Sequence, residues 1–257
     1  MIKIIDKNEF LKDLKEYIGF NKKFIEVGSG TSQLSLALAS GTNNMIVALD
    51  PTLASLKLGK DFANKNNIEN VIFLNADLFD DPCENNYFDF VWCSGVLHHT
   101  IDSKKGFEII SKWVKPGGII IIGLYNKYGR LRTNFRQLIF KFFLKSKIGE
   151  NIIRFMDPYL RRGLSKEKDI AWFKDQYEHP LERNHSLDEV ISWFDNNQIN
   201  FLGSIPSTKC DNKLTKMKDM DGKKGSYIER LFSQINMLFT NLGGEGGLFI
   251  VVGRKKY

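Results

Sequence analysis

The chain has 257 residues, an apolar fraction of 42% and a net charge of +7. That length and composition suit one globular unit with an appendage, and no apolar run approaches the ~20 residues that a bilayer-spanning helix needs. The charged start Met1-Ile-Lys-Ile-Ile-Asp-Lys7 argues against a secretory leader, and three cysteines (Cys83, Cys93, Cys210) without metal-type spacing suit a reduced, cytoplasmic setting.

Residues 9–18 read as an amphipathic helix, followed by a short strand at Phe24–Val27. Leu34–Ala39 opens a helix that stops near Gly41. Met45–Leu49 is a second strand, closed by Asp50-Pro51, and Leu53–Asn66 is helical. Val71–Leu74 is a third strand, ending at Asn75-Ala-Asp77. Phe88–Cys93 is a fourth strand, with helical pattern from Asp102 to Val114. Pro116-Gly-Gly118 reads as a tight turn before a fifth, apolar strand at Ile119–Leu124. Strands alternating with helices predict an α/β fold with a parallel sheet covered on both faces.

The pattern changes at Asn126. Up to His185 the chain is basic and aromatic, with helical signals and no strand. From Lys127 to Lys174 there are thirteen Lys and Arg against four Asp and Glu, a net of +9 that leaves −2 for the remainder. Lysine-rich composition explains many of these charges but not their segregation, which favours an anionic partner. Ser186-Leu-Asp-Glu189 is a capping box opening a helix through Phe194. Ile199–Ile205 is a sixth strand, Pro206–Lys224 a polar loop, Ile228–Leu242 a helix, and Leu248–Val252 a last strand after the flexible Gly243–Gly247.

In a doubly wound sheet, ligands bind beyond the carboxyl ends of the strands. Four loops converge there. Gly28 and Gly30 follow strand one and let backbone approach a ligand closely. Asp50, ending strand two, can accept from two ribose hydroxyls. Asp77, ending strand three, can accept from an exocyclic amine such as that of adenine. Ser94-Gly-Val-Leu-His-His99 follows strand four, where a reacting group lies. A nicotinamide dinucleotide is the rival ligand, but its fingerprint wants G-x-G-x-x-G and the third slot here is Gln33.

Taken together, Glu26-Val-Gly-Ser-Gly-Thr31, Ala48-Leu-Asp-Pro51, Asn75-Ala-Asp-Leu78, Phe88-Asp-Phe-Val-Trp-Cys-Ser-Gly-Val-Leu-His-His99 and Lys115-Pro-Gly-Gly118 occur in order across residues 24–124. This set resembles the class I S-adenosylmethionine (SAM) dependent methyltransferases, in particular the branch with a type 11 methyltransferase domain. Leu124-Tyr-Asn-Lys-Tyr-Gly-Arg130, Asp175-Gln-Tyr-Glu-His-Pro180, Glu182 and His185-Ser186 extend the likeness to an uncharacterised bacterial subgroup. The resemblance implies a Rossmann-like, doubly wound, seven-stranded sheet, with five parallel strands and a final antiparallel pair. It implies SAM as cofactor, with Gly28, Ser29 and Gly30 against the methionine part and Glu26 holding its amino group. Asp50 and Pro51 would meet the ribose, Asp77 and the Leu78 amide the adenine, and Ser94 the sulfonium. Ser32 departs from the family, which commonly has a third glycine there.

Methyl transfer from a sulfonium requires alignment and, for some acceptors, removal of a proton. His98, His99, Tyr125 and His179 are the catalytic candidates, with packing beside the cofactor as the plain reading of the two adjacent histidines. Tyr125, Asn126, Arg130, Gln176, Tyr177 and His179 are the expected substrate contacts. His179-x-x-Glu182-x-x-His185 invites a metal reading, but Pro180 interrupts the helix and no cysteine supports it, so no metal is expected. Residues 126–185 are read as a basic lid between an N-terminal core (1–125) and a C-terminal part completing the sheet (186–257). Phe135–Lys147, apolar with cationic punctuation, has three readings: a helix packed on the core, a membrane-surface helix, or a nucleic-acid contact. The expected function is methylation of a small or lipid-like metabolite, with an anionic acceptor as one candidate. An NAD(P)-dependent oxidoreductase and an RNA- or tRNA-binding methyltransferase-like module are the alternatives.

Overall fold

The structure is a computed structural model that describes residues 7–143, 146–162, 165–178, 181–208, 216–239 and 247–257. Strands β1 (Lys23–Val27), β2 (Met45–Leu49), β3 (Val71–Leu74), β4 (Phe88–Ser94), β5 (Val114–Tyr125), β6 (Ile199–Ile205) and β7 (Leu248–Lys255) form one sheet in the order β3-β2-β1-β4-β5-β7-β6. Pairing from β3 through β5 is parallel. Strand β7 runs antiparallel to both β5 and β6, so it alone is reversed. The sheet is the Rossmann-like, doubly wound one expected. Its order reverses between β1 and β4, which opens a crevice at their carboxyl ends.

Alternate side chains along each strand supply two cores, as the two-residue period of a strand requires. On one face Ile25, Val27, Val91, Cys93, Ile120 and Ile122 pack with Phe107 and Trp113 of α4 (Ser103–Trp113) and Phe194 of α8 (Leu187–Asn196). On the other, Phe24, Ile46, Phe90, Trp92 and Ile121 meet Leu14 and Ile18 of α1 (Lys7–Ile18) and Leu38 of α2 (Gln33–Ala39). Helix α3 (Leu53–Lys65) lies beside α2 and the outer strand β3. Helix α8 starts at the expected capping box, with the Ser186 hydroxyl and the Glu189 carboxylate bonded reciprocally to backbone amides.

Two expected boundaries move furthest. The Pro116-Gly-Gly118 turn lies inside β5, because Val114 pairs with Phe88 and Ile119 with Phe90 while Lys115–Gly118 bulge out of the ladder. Helix α9 (Tyr227–Asn236) ends before the expected Leu242, where Met237, Leu238 and Phe239 tighten into three-residue turns. Residues 209–215, with Cys210, and 240–246 lie outside the described residues.

The described part of the segment between β5 and α8 is mostly helical up to Glu178. It contains α5 (Leu131–Phe142), α6 (Lys147–Met156) and α7 (Lys166–Phe173), the last running on into a wider turn at Lys174–Glu178. Phe140, Ile153, Leu160, Phe173 and Tyr177 form a small core of its own. No helix among the described residues is long and apolar enough to cross a membrane.

Candidate functional site

Strand β1 ends in a bend at Gly28, whose φ is +69°. The amides of Gly28 and Ser29 both donate to the Leu49 carbonyl at the end of β2, at 2.8 and 2.9 Å. A Cβ on Gly28 would lie 2.2 Å from Val96 Cγ2, so the loops after β1 and β4 touch at this point. Gly30 is the opposite case. Its φ is +52° and nothing lies within 4 Å of where its Cβ would stand, so the space above it is open to a ligand. Ser32 has φ +59°, the left-handed conformation that favours glycine, and its hydroxyl meets that of Ser29 at 3.2 Å.

Three carboxylates surround this bend, Asp50 and Asp77 on loops and Glu26 on β1. Asp50 takes the Gly30 amide on Oδ2 and the Thr52 amide on Oδ1, both at 2.8 Å. Asp77 is exposed and accepts from the Phe79 amide at 2.9 Å, starting a short turn at Leu78–Asp80. The Leu78 side chain is buried against Gly106 of α4. Asn75 joins the two loops, its side-chain amide donating to the carbonyls of Asp50 (3.0 Å) and Pro51 (2.9 Å). A carboxylate offers about four acceptor positions, so Asp50 and Asp77 keep capacity for donors of an incoming ligand. Glu26 lies below the loop, buried, and accepts from both the amide (2.9 Å) and the hydroxyl (2.6 Å) of Ser35 in α2. Burial pushes its carboxyl up to about 7; the Ser35 bonds oppose that shift and the charge of Asp50 adds to it. Ser35 carries no sequence signal for this role, because the contact is made by the packing of α2 on β1.

Ser94 ends β4 against Gly123 of β5, where a Cβ would stand 2.0 Å from the Ser94 hydroxyl. Beyond it, Gly95 has φ +80° and open space on its Cβ side. His98 is fully buried, its ring 4.0 Å from that of Tyr125 and 4.2 Å from that of His99. His99 Nδ1 lies 3.0 Å from the Leu181 carbonyl. A carbonyl only accepts, so a neutral His99 carries its proton on Nδ1 and its lone pair on Nε2.

The basic segment closes over this end of the sheet. The Arg183 amide donates to the His98 carbonyl (2.8 Å), the His185 amide to that of Tyr125 (2.9 Å) and the Lys127 amide to that of His185 (2.9 Å). Residues 181–185 thereby form a strap across the ends of β4 and β5. Arg130 is wholly buried, its guanidinium 3.9 Å from the Tyr125 ring centroid. It donates to both Glu182 oxygens, at 3.1 and 2.6 Å, and to the Gln176 side-chain carbonyl. Gln176 in turn donates to the Tyr125 hydroxyl at 3.0 Å.

The substrate contacts expected from sequence divide accordingly. Tyr125, Arg130 and Gln176 come together, but as a buried network that ties the strap to β5. Asn126 turns away from the crevice. Its oxygen accepts from the amides of Tyr128 and Gly129 and its nitrogen donates to Gln234, because the chain must turn here to leave the sheet. Tyr177 also turns away, into the lid core, where its hydroxyl donates to Asp157 at 2.7 Å and burial raises its pKa. His179 lies outside the described residues. Glu182 and His185 diverge. His185 sits between Glu189 (3.0 Å) and Ser103 (3.1 Å), and the Ser103 hydroxyl donates to the Leu97 carbonyl at 2.7 Å. That proton being committed, the Ser–His–Glu line pins α4 to the strap and does not activate a nucleophile.

A glycine bend with acidic loop ends around it, on this sheet order, is a Rossmann-like arrangement of the class I methyltransferase type. A family model described as "Methyltransferase domain" matches residues 19–158, and the chain belongs to that family. The domain is thus a methyltransferase domain by family, on the Rossmann-like sheet described above. The curated protein syc1184_c of Synechococcus is 24% identical over 200 residues, covering 70% of this chain and 48% of its own length. The ubiquinone/menaquinone biosynthesis C-methyltransferase UbiE of Idiomarina loihiensis is 26% identical over 140 residues, covering 53% of this chain and 56% of its own. The chain thus spans about half the length of these curated relatives. PKMT2 from Rickettsia typhi shares the fold with a TM-score of 0.69 at 16% identity, over 96% of this chain and 53% of that one.

Proposed function

We propose that this chain transfers the methyl group of SAM to a small, lipid-like acceptor held beneath the strap. The observation that carries the reading is the open cradle at Gly30, flanked by Asp50 and Asp77, in a chain of the methyltransferase family. In this reading the methionine part of SAM lies along Gly28, Ser29 and Gly30, near Glu26. The ribose hydroxyls donate to Asp50 beside Pro51, the adenine amine to Asp77 next to the Leu78 amide, and the sulfonium points toward Ser94. Bound SAM supplies an activated methyl group; the protein aligns the acceptor and takes up any proton it loses. His99 is the candidate base, since its Nδ1 faces a carbonyl and Nε2 keeps a lone pair. His98 and Tyr125, in ring contact and buried, position it. The lipid-like character of the acceptor is supported by relatives named for ubiquinone and menaquinone biosynthesis and by the apolar, basic lid.

Calorimetry with SAM and with its demethylated product tests the cofactor half. Both are expected to bind, and Asp50→Ala to weaken binding at least tenfold; an Asp50→Ala variant that binds as well as the parent would remove this assignment. Incubation with labelled SAM and a lipid and metabolite extract, read by mass spectrometry, tests the acceptor half. Label in a water-soluble polar acceptor alone would refute the lipid-like class. Family membership displaces the nicotinamide alternative, so titration with NADH is expected to leave its fluorescence unchanged.

A further inference from the structure

Helix α5 has two apolar faces, and the site uses neither. Leu131, Phe135, Leu138 and Phe142 recur at spacings of four, three and four along it and are 50%, 58%, 64% and 80% exposed. At about 100° per residue they fall within roughly 60° of one another. The buried residues Thr133 and Phe140 fall on the opposite side, with Phe140 packed edge-on against Phe173 in the lid core. Arg132 and Lys141, both exposed, stand about 90° to either side of the stripe. A surface helix ordinarily buries its one apolar stripe and turns a polar face to water. Here the face turned to water is a contiguous run of four large apolar side chains, the mark of an interaction surface. The neighbouring helix α6 adds exposed Ile148 and Phe155.

Charge selects the occupant. Arg130, Arg136 and Arg154 are paired inside the lid with Glu182, Asp157, and Glu150 with Asp169. Arg132, Lys141 and Lys147 are exposed, in a segment of net charge +9. A second copy of the chain would bring two such basic surfaces together against their repulsion. A single-stranded nucleic acid would stack on aromatic rings but gain nothing from Leu131 and Leu138. An anionic bilayer meets both features: Leu and Phe enter the boundary between headgroups and acyl chains, and cations at the edges meet lipid phosphates. We infer that the outer face of α5 docks this protein on an anionic lipid surface. The inference stands on this face alone and holds whatever the methyl acceptor is. Helix α5 begins one residue after Arg130, which covers Tyr125 at the end of β5, so the docked helix starts close to the crevice.

Co-sedimentation with vesicles tests this. Vesicles mixing phosphatidylglycerol and phosphatidylcholine are expected to take up at least tenfold more protein than phosphatidylcholine alone, with the excess lost in high salt. The pair Phe135→Ser with Phe142→Ser is expected to lower the uptake at least tenfold without moving the unfolding midpoint. Leu131→Asn with Leu138→Asn, on the same face, and Arg132→Gln with Lys141→Gln, at its edges, should do the same. Equal uptake by both vesicle types, uptake unchanged in all three variants, or no uptake would overturn the inference. So would a concentration-dependent dimer or retention of single-stranded RNA that the Phe pair abolishes. Calorimetry with SAM on the same samples separates this outcome from the fate of the methyl-transfer reading.

Discussion

A glutamate in water ionises well below neutrality, but Glu26 of β1 is buried against α2, where among the described residues Ser35 donates to it. Its carboxyl is raised to about 7, so the protonated form prevails in the folded chain below that pH. The sign follows. A group raised in the folded state adds stability that is complete below the unfolded pKa, near 4.5, and is lost as pH rises through about 7. Glu26→Gln is therefore expected to match the parent at pH 4.5 and to exceed it at pH 8.5 by roughly 3 kcal/mol, read from denaturant midpoints. If an ammonium group of the cofactor lies beside Glu26, its affinity should rise with pH through about 7 in the parent and stay flat in Glu26→Gln. Gly28 gives a second test at this scale. Gly28→Ala meets both a positive φ and Val96, and is expected to destabilise by roughly 2 kcal/mol. Adding Val96→Ala removes the collision but not the backbone strain, so the double variant should recover part of that loss.

At the scale of elements, the strap of residues 181–185 is held by three backbone hydrogen bonds, by the His99–Leu181 and His185–Ser103 contacts, and by a buried side-chain network centred on Arg130. Arg130→Ala leaves Glu182 with an enclosed, uncompensated charge, a loss on the order of 3–5 kcal/mol. The helical segment between β5 and α8 carries its own small core, so this loss is expected to appear as local opening and not as collapse of the sheet. Amide hydrogen exchange should speed up at Arg183 and His185 while Ile121 and Ile122 of β5 keep their protection. Arg130→Lys restores the charge but not the two-pronged geometry, and should recover only part of the protection. Inside the lid, Asp157 gathers the Tyr177 hydroxyl, the Trp172 indole and Arg136 on one carboxylate. Asp157→Ala should therefore loosen α7 from α6, seen as faster exchange in α7.

At the scale of the whole molecule, what was legible in the sequence follows the range of the forces that set it. Strands β2, β3 and β6 have the bounds read from sequence, because β2 and β3 are short apolar runs stopped by Asp-Pro and Asn-Ala-Asp, and Pro206 stops β6. The turn absorbed into β5 was not legible, since pairing with Phe88 on another strand decides it. Nor were the directions of Asn126 and Tyr177, which depend on Gln234 and Asp157, 108 and 20 positions away. The glycine bend and its carboxylates were visible because they are loop-local; Ser35, which holds Glu26, was not. One pairing in the fold has a wider reach. Asn126 and His185 sit opposite each other as bridge partners, so the polypeptide leaves the sheet and comes back at a single doorway. Joining two points so close takes only a few residues, and ring closure that short has a small entropic penalty. The basic segment is thus a cassette: a shortened chain with a Gly-Ser hinge in its place should still assemble seven strands, and an exchanged cassette could give the same donor platform a new clientele.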